Sequence, residues 1–430
     1  MNRFFTIAII LSMLLCMLSF SANAAGVELP YFRGFENDTV GEPLNDPGCA
    51  GLYVPDWHSK NCTDFVSDKY PARYGKNYLS LECYYDPSMS MDDARRIDFI
   101  FEGAWSPSSK CHVMRTDDGT EYWIGWSLYI PEDYEAEYWS HSVMQVIDQA
   151  NNVVVFNMYY GGGVDDEHGR TRWGGRHDWG TGKTYPTYDE SWIDDKGKWT
   201  DWVFHVVWYG SDNSSARFEL YQNGSLVYSR NSKQNMPANG APILTPVQLY
   251  NTLYYTSLYD QNTVIKNNDI KFKRGVYFDE FRLYEGKLGE YGYSNAAPPI
   301  QPSKPQLVYP KQNATDVPLE VNVSYSAPED SRVDPQNSFS YSATQIQIDS
   351  ANGNWTSLVY DSGPVSDKTN HIVKNLANST QYKIRVRHQS ARKNSSDVYW
   401  SDWSDPVLFT TISGEETDAT KIPPPFLRLK

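Results

Sequence analysis

The chain has 430 residues, room for two ordinary domains or for one large β domain with a smaller companion. Lysine and arginine number 38 against 53 acidic residues, a formal charge of -15, which argues against a general nucleic-acid binder because that function needs a basic face to displace counterions. Aromatic residues make up 15%, too many for a disordered chain and suited to β-sandwiches and sugar-binding surfaces. An anionic ligand would need a local basic cleft that overrides the global field.

In chain order, Asn2 and Arg3 precede an apolar run from Phe4 to Phe20, and Ala22 and Ala24 form an A-x-A site. This pattern predicts a signal peptide over residues 1–24, a secreted or periplasmic product, and no membrane insertion after cleavage. Removal of the signal leaves Cys49, Cys62, Cys83 and Cys111, an even set that favours disulfides in an exported chain. Three pairings are open; Cys49–Cys62 with Cys83–Cys111 closes the most local loops. No C-x-x-C pair suggests zinc, and no metal or other cofactor is expected.

Strand patterns follow at Tyr122 to Ile130, Val153 to Tyr160, Trp202 to Tyr209, Arg217 to Gln222, Val247 to Tyr255 and Val276 to Tyr284. Asn223-Gly224 between two of these patterns is a two-residue hairpin signal. With no long helical pattern, residues 28–290 read as a jelly-roll sandwich. Residues 294–305 are proline-rich and aperiodic, and read as an extended, semi-rigid linker. Residues 306–412 have the length of one small β-sandwich, with Tyr382, Ile384 and Val386 alternating against basic residues. The tail, 413–430, carries Pro423-Pro424-Pro425 and no periodicity, and reads as disordered.

Several motifs then resemble known families. Leu376 to Tyr382 resembles the tyrosine corner of fibronectin type III modules, and Trp400-Ser401-Asp402-Trp403-Ser404 the W-S-x-W-S run of some of them. Glu121 to Pro131, Gly197 to His205, Glu219 to Gly224 and Val276 to Tyr284 resemble, in that order, strands of the secreted jelly-roll polysaccharide lyases. That group includes heparin lyase I, glucuronan lyases and alginate-lyase-like enzymes. The implied fold is all-β: a concanavalin-like β-jelly-roll sandwich followed by a small fibronectin type III β-sandwich. The implied function is cleavage of an acidic, uronic-acid polysaccharide by β-elimination.

Elimination needs the carboxylate charge neutralised, a base beside it, and an acid for the leaving oxygen. Arg96, in a strand resembling the family's R-x-E-L motif with Asp98 replacing Glu, is the first candidate; its competing reading is a surface ion pair. Gln145 matches the family's Q-x-H motif, but Ile147 stands where His is usual. Tyr250 fits the strand that supplies the catalytic tyrosine, with Tyr254 and Tyr277 behind it and Lys273 in an alternative register. Residues 168–179 read as a basic, aromatic loop in which Arg170, Arg172, Trp173, Arg176 and Trp179 would bind substrate. His177 of this loop would replace the missing base. His205 reads as a core histidine.

Two other functions compete. A laminarinase-type hydrolase needs a glutamate pair, and Arg96 occupies the nucleophile's position. A non-catalytic carbohydrate-binding or adhesive protein would suit the aromatic surplus equally well.

Overall fold

The computed structural model describes residues 31–35, 37–42, 52–53, 62–85, 96–101, 118–132, 141–148, 153–161, 172–178, 184–187, 196–236, 242–250, 272–329, 336 and 338–413. In chain order come β1 (Tyr31–Arg33), β2 (Leu52–Tyr53), β3 (Cys62–Ser67), β4 (Tyr78–Tyr85) and β5 (Arg96–Phe101). Next are β6 (Glu121–Tyr129), β7 (His141–Asp148), β8 (Val153–Gly161), β9 (Arg172–Asp178) and β10 (Thr184–Thr187). Then follow β11 (Trp199–Val207), β12 (Arg217–Gln222), β13 (Ser225–Ser229), β14 (Pro242–Tyr250), β15 (Phe272–Gly286) and a one-turn helix, α1 (Tyr293–Ala296). The remaining strands are β16 (Leu307–Tyr309), β17 (Ala314–Val317), β18 (Val321–Tyr325), β19 (Phe339–Ser350) and β20 (Tyr360–Asp361). They end with β21 (Asn370–Val373), β22 (Gln381–Arg392), β23 (Val398–Trp400) and β24 (Val407–Thr411). No described helix is long and apolar enough to cross a membrane.

The chain divides into two compact units, Met1–Pro298 and Pro299–Lys430. The first holds two antiparallel sheets. One runs β13-β12-β11-β6-β15-β4-β3 with β1 on β15, the other β10-β9-β8-β7-β14-β5-β2. Alternation builds the core between them. Ile124, Trp126 and Leu128 of β6 and Trp202, Phe204 and Val206 of β11 share it with Met144, Val146, Phe156 and Met158 of β7 and β8. Each such side chain contributes about 1.5–3 kcal/mol on burial. This is the all-β jelly-roll sandwich the sequence predicts. The hairpin turn also matches: Asn223 (φ 47°) and Gly224 (φ 83°) both adopt the left-handed backbone that a primed turn requires.

Within the first sheet β6 and β11 are buried on both faces. Their outer face includes Glu121, Ser127, Asp201 and His205, so these charges must be paired. Arg73 donates from Nε and Nη2 to the two oxygens of Asp201, each at 2.7 Å. Ser127 donates to the same carboxylate at 2.7 Å, and the Arg73 backbone N–H to Asp279 at 3.0 Å. Burial alone would lower the Arg73 pKa, but the Asp201 carboxylate outweighs it and raises the value.

Three expectations are corrected here. The linker does not begin as extended chain, because residues 293–296 form α1 and Ala296 and Ala297 are buried. A side chain on Gly125 would lie 1.7 Å from the Ala296 carbonyl oxygen, so only glycine admits this docking. Residues 172–178 of the expected loop form β9, paired to β8 and β10. Tyr277 and Lys273 lie on β15 in the first sheet. Tyr277 is packed there against Tyr70 (5.3 Å between centroids), Tyr78 and Tyr129, so it serves packing rather than substrate.

The second unit pairs a β16-β18-β21 sheet with a β17-β24-β22-β19-β20 sheet, β23 lying on β22. Val321, Val323, Ile346, Ile348, Ile384 and Val386 form its core. The Tyr382 hydroxyl accepts the Ala377 N–H at 3.0 Å. Ser401 and Ser404 each accept a β22 backbone N–H, from His388 at 2.9 Å and Val386 at 3.0 Å.

Asp201→Ala strands a buried guanidinium and is expected to destabilise the chain by about 3–5 kcal/mol in denaturant titration. Arg73→Met combined with Asp201→Leu is expected to cost less than the single change, since no uncompensated charge remains.

Candidate active site

The candidate groups lie on the second sheet, whose backbone register sorts them by face. Cross-strand neighbours share a face, and successive residues alternate. One row runs Leu244, Val146, Phe156, His177, Tyr185 across β14, β7, β8, β9 and β10. Val146 and Phe156 are core residues, so this row is core-facing. The adjacent row runs Thr245, Gln145, Asn157, Arg176, Pro186 and has the opposite parity.

At the β5 side, Tyr250 is the register partner of Arg96 and Gln248 of Asp98. A bulge between Leu244 and Val247 precedes them. Phe101 pairs with Leu244 in the core row, and Phe99 keeps its parity opposite Val247. Arg96, Asp98, Gln248 and Tyr250 therefore share the face of Gln145. Arg172, opposite Gly161, has that parity too. Five adjacent strands thus place Arg96, Tyr250, Gln145, Asn157 and Arg176 on one face, in two groups: Gln145, Asn157 and Arg176 share the row of Thr245, and the Arg96–Tyr250 pair lies five residues further along β14. Gln145 itself is buried, 8% exposed.

Not every expected residue joins them. His177 falls in the row of Phe156, and Trp173 pairs with Tyr160 at the same core parity. Alternation along β9 separates His177 from Arg176, a distinction a loop reading does not supply. Arg170, Trp179, Tyr254, Cys49 and Cys111 lie outside the described residues. Asn157 was missed. Its signal was a lone amide in the apolar strand Val153 to Tyr160, readable only once that strand is known to neighbour Gln145.

His205 is structural, as expected, and its surroundings favour the charged ring. Its Nε2 lies 2.8 Å from Glu121 and its Nδ1 2.9 Å from Glu219, an arrangement that an imidazolium donating from both nitrogens satisfies. Trp123 stacks on it, with centroids 3.7 Å apart. Burial alone would lower the His205 pKa, but the two carboxylates raise it. Burial would raise that of Glu219, but bonds from His205, Asn231 and Tyr221 bring it down to about 2. Among the described residues no group of three metal-ligating side chains exists.

Basic, amide and phenolic residues thus share the outer face of the second sheet of a two-sheet jelly roll. Residues 56–290 match the polysaccharide lyase family model, and the chain belongs to that family. Among solved structures it is similar to an endo-β-1,4-glucuronan lyase from the fungus Trichoderma reesei, at 12% identity and a TM-score of 0.42, covering 62% of this chain and 98% of that one. It is also similar to an alginate lyase from Pseudomonas aeruginosa, at 14% identity and a TM-score of 0.30, covering 50% and 88%. An alginate lyase from Chlorella virus follows at 6% identity and a TM-score of 0.33, covering 55% and 92%. No curated protein matches the chain.

The His205 cluster carries a pH signature. The raised histidine contributes fully below its ordinary value of 6.5 and loses that contribution as pH rises through its folded value. Glu219 contributes fully above its ordinary 4.5 and loses that as pH falls toward about 2. The melting-temperature gap between wild type and His205→Gln is therefore expected to be widest between those ordinary values and to narrow on both sides. A gap independent of pH would contradict the charged ring.

Proposed function

We propose that the chain is an exported lyase that cleaves a uronic-acid polysaccharide by β-elimination on the outer face of the second sheet. The observation supporting this is the shared row parity of Arg96, Tyr250, Gln145, Asn157 and Arg176. Arg96 and Gln145 neutralise the substrate carboxylate, which makes the neighbouring C5 proton acidic enough to remove. The Tyr250 phenolate takes that proton, the electron pair forms the C4–C5 double bond, and the C4–O4 bond breaks. The new Tyr250 hydroxyl protonates the departing oxygen, so one residue serves as base and acid. Asn157, Arg172 and Arg176 hold neighbouring sugars, Arg through forked bonds to carboxylates. His177 takes no part, and no cofactor is needed. The export reading rests on the Phe4–Phe20 run and the Ala22 and Ala24 site. The second unit is a fibronectin type III-like module, a reading supported by the Tyr382 corner bond.

The test is ultraviolet absorbance during incubation with a panel of uronate polymers, because elimination leaves a conjugated double bond. A rising signal is expected with at least one polymer. Tyr250→Phe is expected to lower kcat by about 10²–10⁴, and Gln145→Ala by about 10². His177→Ala is expected to retain activity; a loss matching that of Tyr250→Phe would return the base to His177. Binding without product, unchanged by Tyr250→Phe, would favour a non-catalytic carbohydrate-binding protein.

We also propose a Cys62–Cys83 disulfide in the exported protein, leaving Cys49 with Cys111. Cys62 and Cys83 are direct register partners on β3 and β4. Opposed Cα atoms of antiparallel strands are about 4.5–5.5 Å apart, inside the range a disulfide spans. This differs from the local-loop pairing that the sequence alone suggests. Non-reducing peptide mapping is expected to join the Cys62 and Cys83 peptides; a Cys49–Cys62 peptide would refute it.

A further inference from the structure

The second unit carries a cationic column that the proposed reaction does not use. Lys383, Arg385 and Arg387 occupy alternate positions of β22, on the face opposite the buried Tyr382, Ile384 and Val386. Their cations interleave with three indoles. Lys383 lies 4.7 Å and Arg385 4.0 Å from the Trp355 ring. Arg385 and Arg387 flank Trp403 at 4.2 and 4.4 Å, and Arg387 lies 4.2 Å from Trp400. All six side chains are half-buried, so part of each meets solvent.

Among the described residues the hydrogen bonds of Lys383 and Arg385 go to neutral acceptors. Arg385 donates from Nε and Nη2 to the Gln347 amide oxygen, at 3.0 and 2.6 Å. Arg387 does the same to Gln345, at 2.9 and 2.6 Å. Lys383 donates to the Gly353 carbonyl. The nearby carboxylates are occupied elsewhere. Asp361 accepts the side-chain amides of Gln345 and Gln347, and Asp349 accepts the backbone N–H of Ser350 and Trp355. Among the described residues neither Lys383 nor Arg385 forms an ion pair. Trp355 is held at φ 68°, a conformation that costs an aromatic residue about 1 kcal/mol or more and persists only where its surroundings over-determine it.

We infer that this column is a second, non-catalytic binding site for a polyuronate chain. Cations at alternate strand positions repeat about every 6.7 Å along one face, a line of positive charge suited to a flexible polymer that carries a carboxylate on each sugar. The Arg385 guanidinium edge left by Gln347 would fork such a carboxylate, with Lys383 beside it. The indole faces are filled by cations, so recognition is by charge rather than by ring stacking, and neutral glycans are excluded. The ligand class rests on the reading of the first unit as a uronate lyase. A second anchor on the same polymer raises local substrate concentration without adding to the chemistry.

The test uses the full chain in native gels containing alginate, polyglucuronate, a sulfated polysaccharide or a neutral β-glucan. Polyuronate gels are expected to retard the wild type and neutral gels not. Lys383→Gln with Arg385→Gln is expected to weaken retardation about tenfold or more, and further salt to abolish it. Lys383→Gln alone, which leaves Arg385 and Arg387 on the tryptophans and sets no carboxylate opposite Asp349, is expected to weaken retardation in the same direction with little change in melting temperature. Variants retarded like wild type, or a wild type held only by the sulfated polymer, would overturn the inference. The same variants are expected to release unsaturated product from a short uronate oligosaccharide at the wild-type rate. Product without column-dependent retardation sinks the column alone; retardation without product sinks the lyase reading alone.

Discussion

The first unit depends on neutralising charge on the outer face of its first sheet. β6 and β11 are buried on both faces, so half their residues cannot be solvated and must be apolar or paired. Two ionic clusters meet that constraint. Arg73 reaches in to close on Asp201 and Ser127, and His205 is held between Glu121 and Glu219 under the Trp123 ring. Both recruit groups from distant sequence, and both fix strands whose inner faces hold the core. The first sheet thereby becomes a rigid backing, which leaves the second free to carry polar residues in register.

Much of this was legible in the sequence, because strand alternation is a local signal. β12 matches its predicted bounds, and β8 extends its prediction by one residue, Gly161. Asn223-Gly224 specified its turn because both positions need left-handed backbone. Tyr250 and Arg96 were identified separately, from motifs, and the register makes them partners. What failed was long-range. Gly and Arg residues between 168 and 179 look like loop, and β9 forms only because β8 offers an edge to pair with. Tyr277 could not be told from a site tyrosine until Tyr70 and Tyr78 were seen packed on it. The linker looked extended because proline suggests it, whereas Gly125, remote in sequence, provides the space in which α1 docks.

The two units solve the charge problem in opposite ways. In the first, Arg73 closes directly on a carboxylate and is spent on stability. In the second, glutamine amides stand between Asp361 and the arginines. That relay fixes Arg385 in place, and among the described residues its guanidinium makes no direct ion pair. An acidic protein with an acidic ligand needs positive charge kept available at chosen places.

The same logic bears on which group moves the proton. Each histidine with a described side chain is already committed. His205 is locked between two carboxylates, His371 between Asp367 and Tyr360, and His388 between Thr344 and the Ser326 carbonyl. His177 sits in the core-parity row, and Ile147 stands where the family's Q-x-H motif has its histidine. A base must share the face of the carboxylate-neutralising residues, since it acts on the carbon next to that carboxylate. Tyr250 meets this condition by register, opposite Arg96 on the strand beside β7. In the proposed reaction a single tyrosine takes the C5 proton and returns it to the departing oxygen, which removes the need for a histidine. Under that proposal Ile147, at the Q-x-H position, fits a one-residue version of the chemistry, while the strand's own histidine, His141, is the register partner of Tyr160 in the core-parity row.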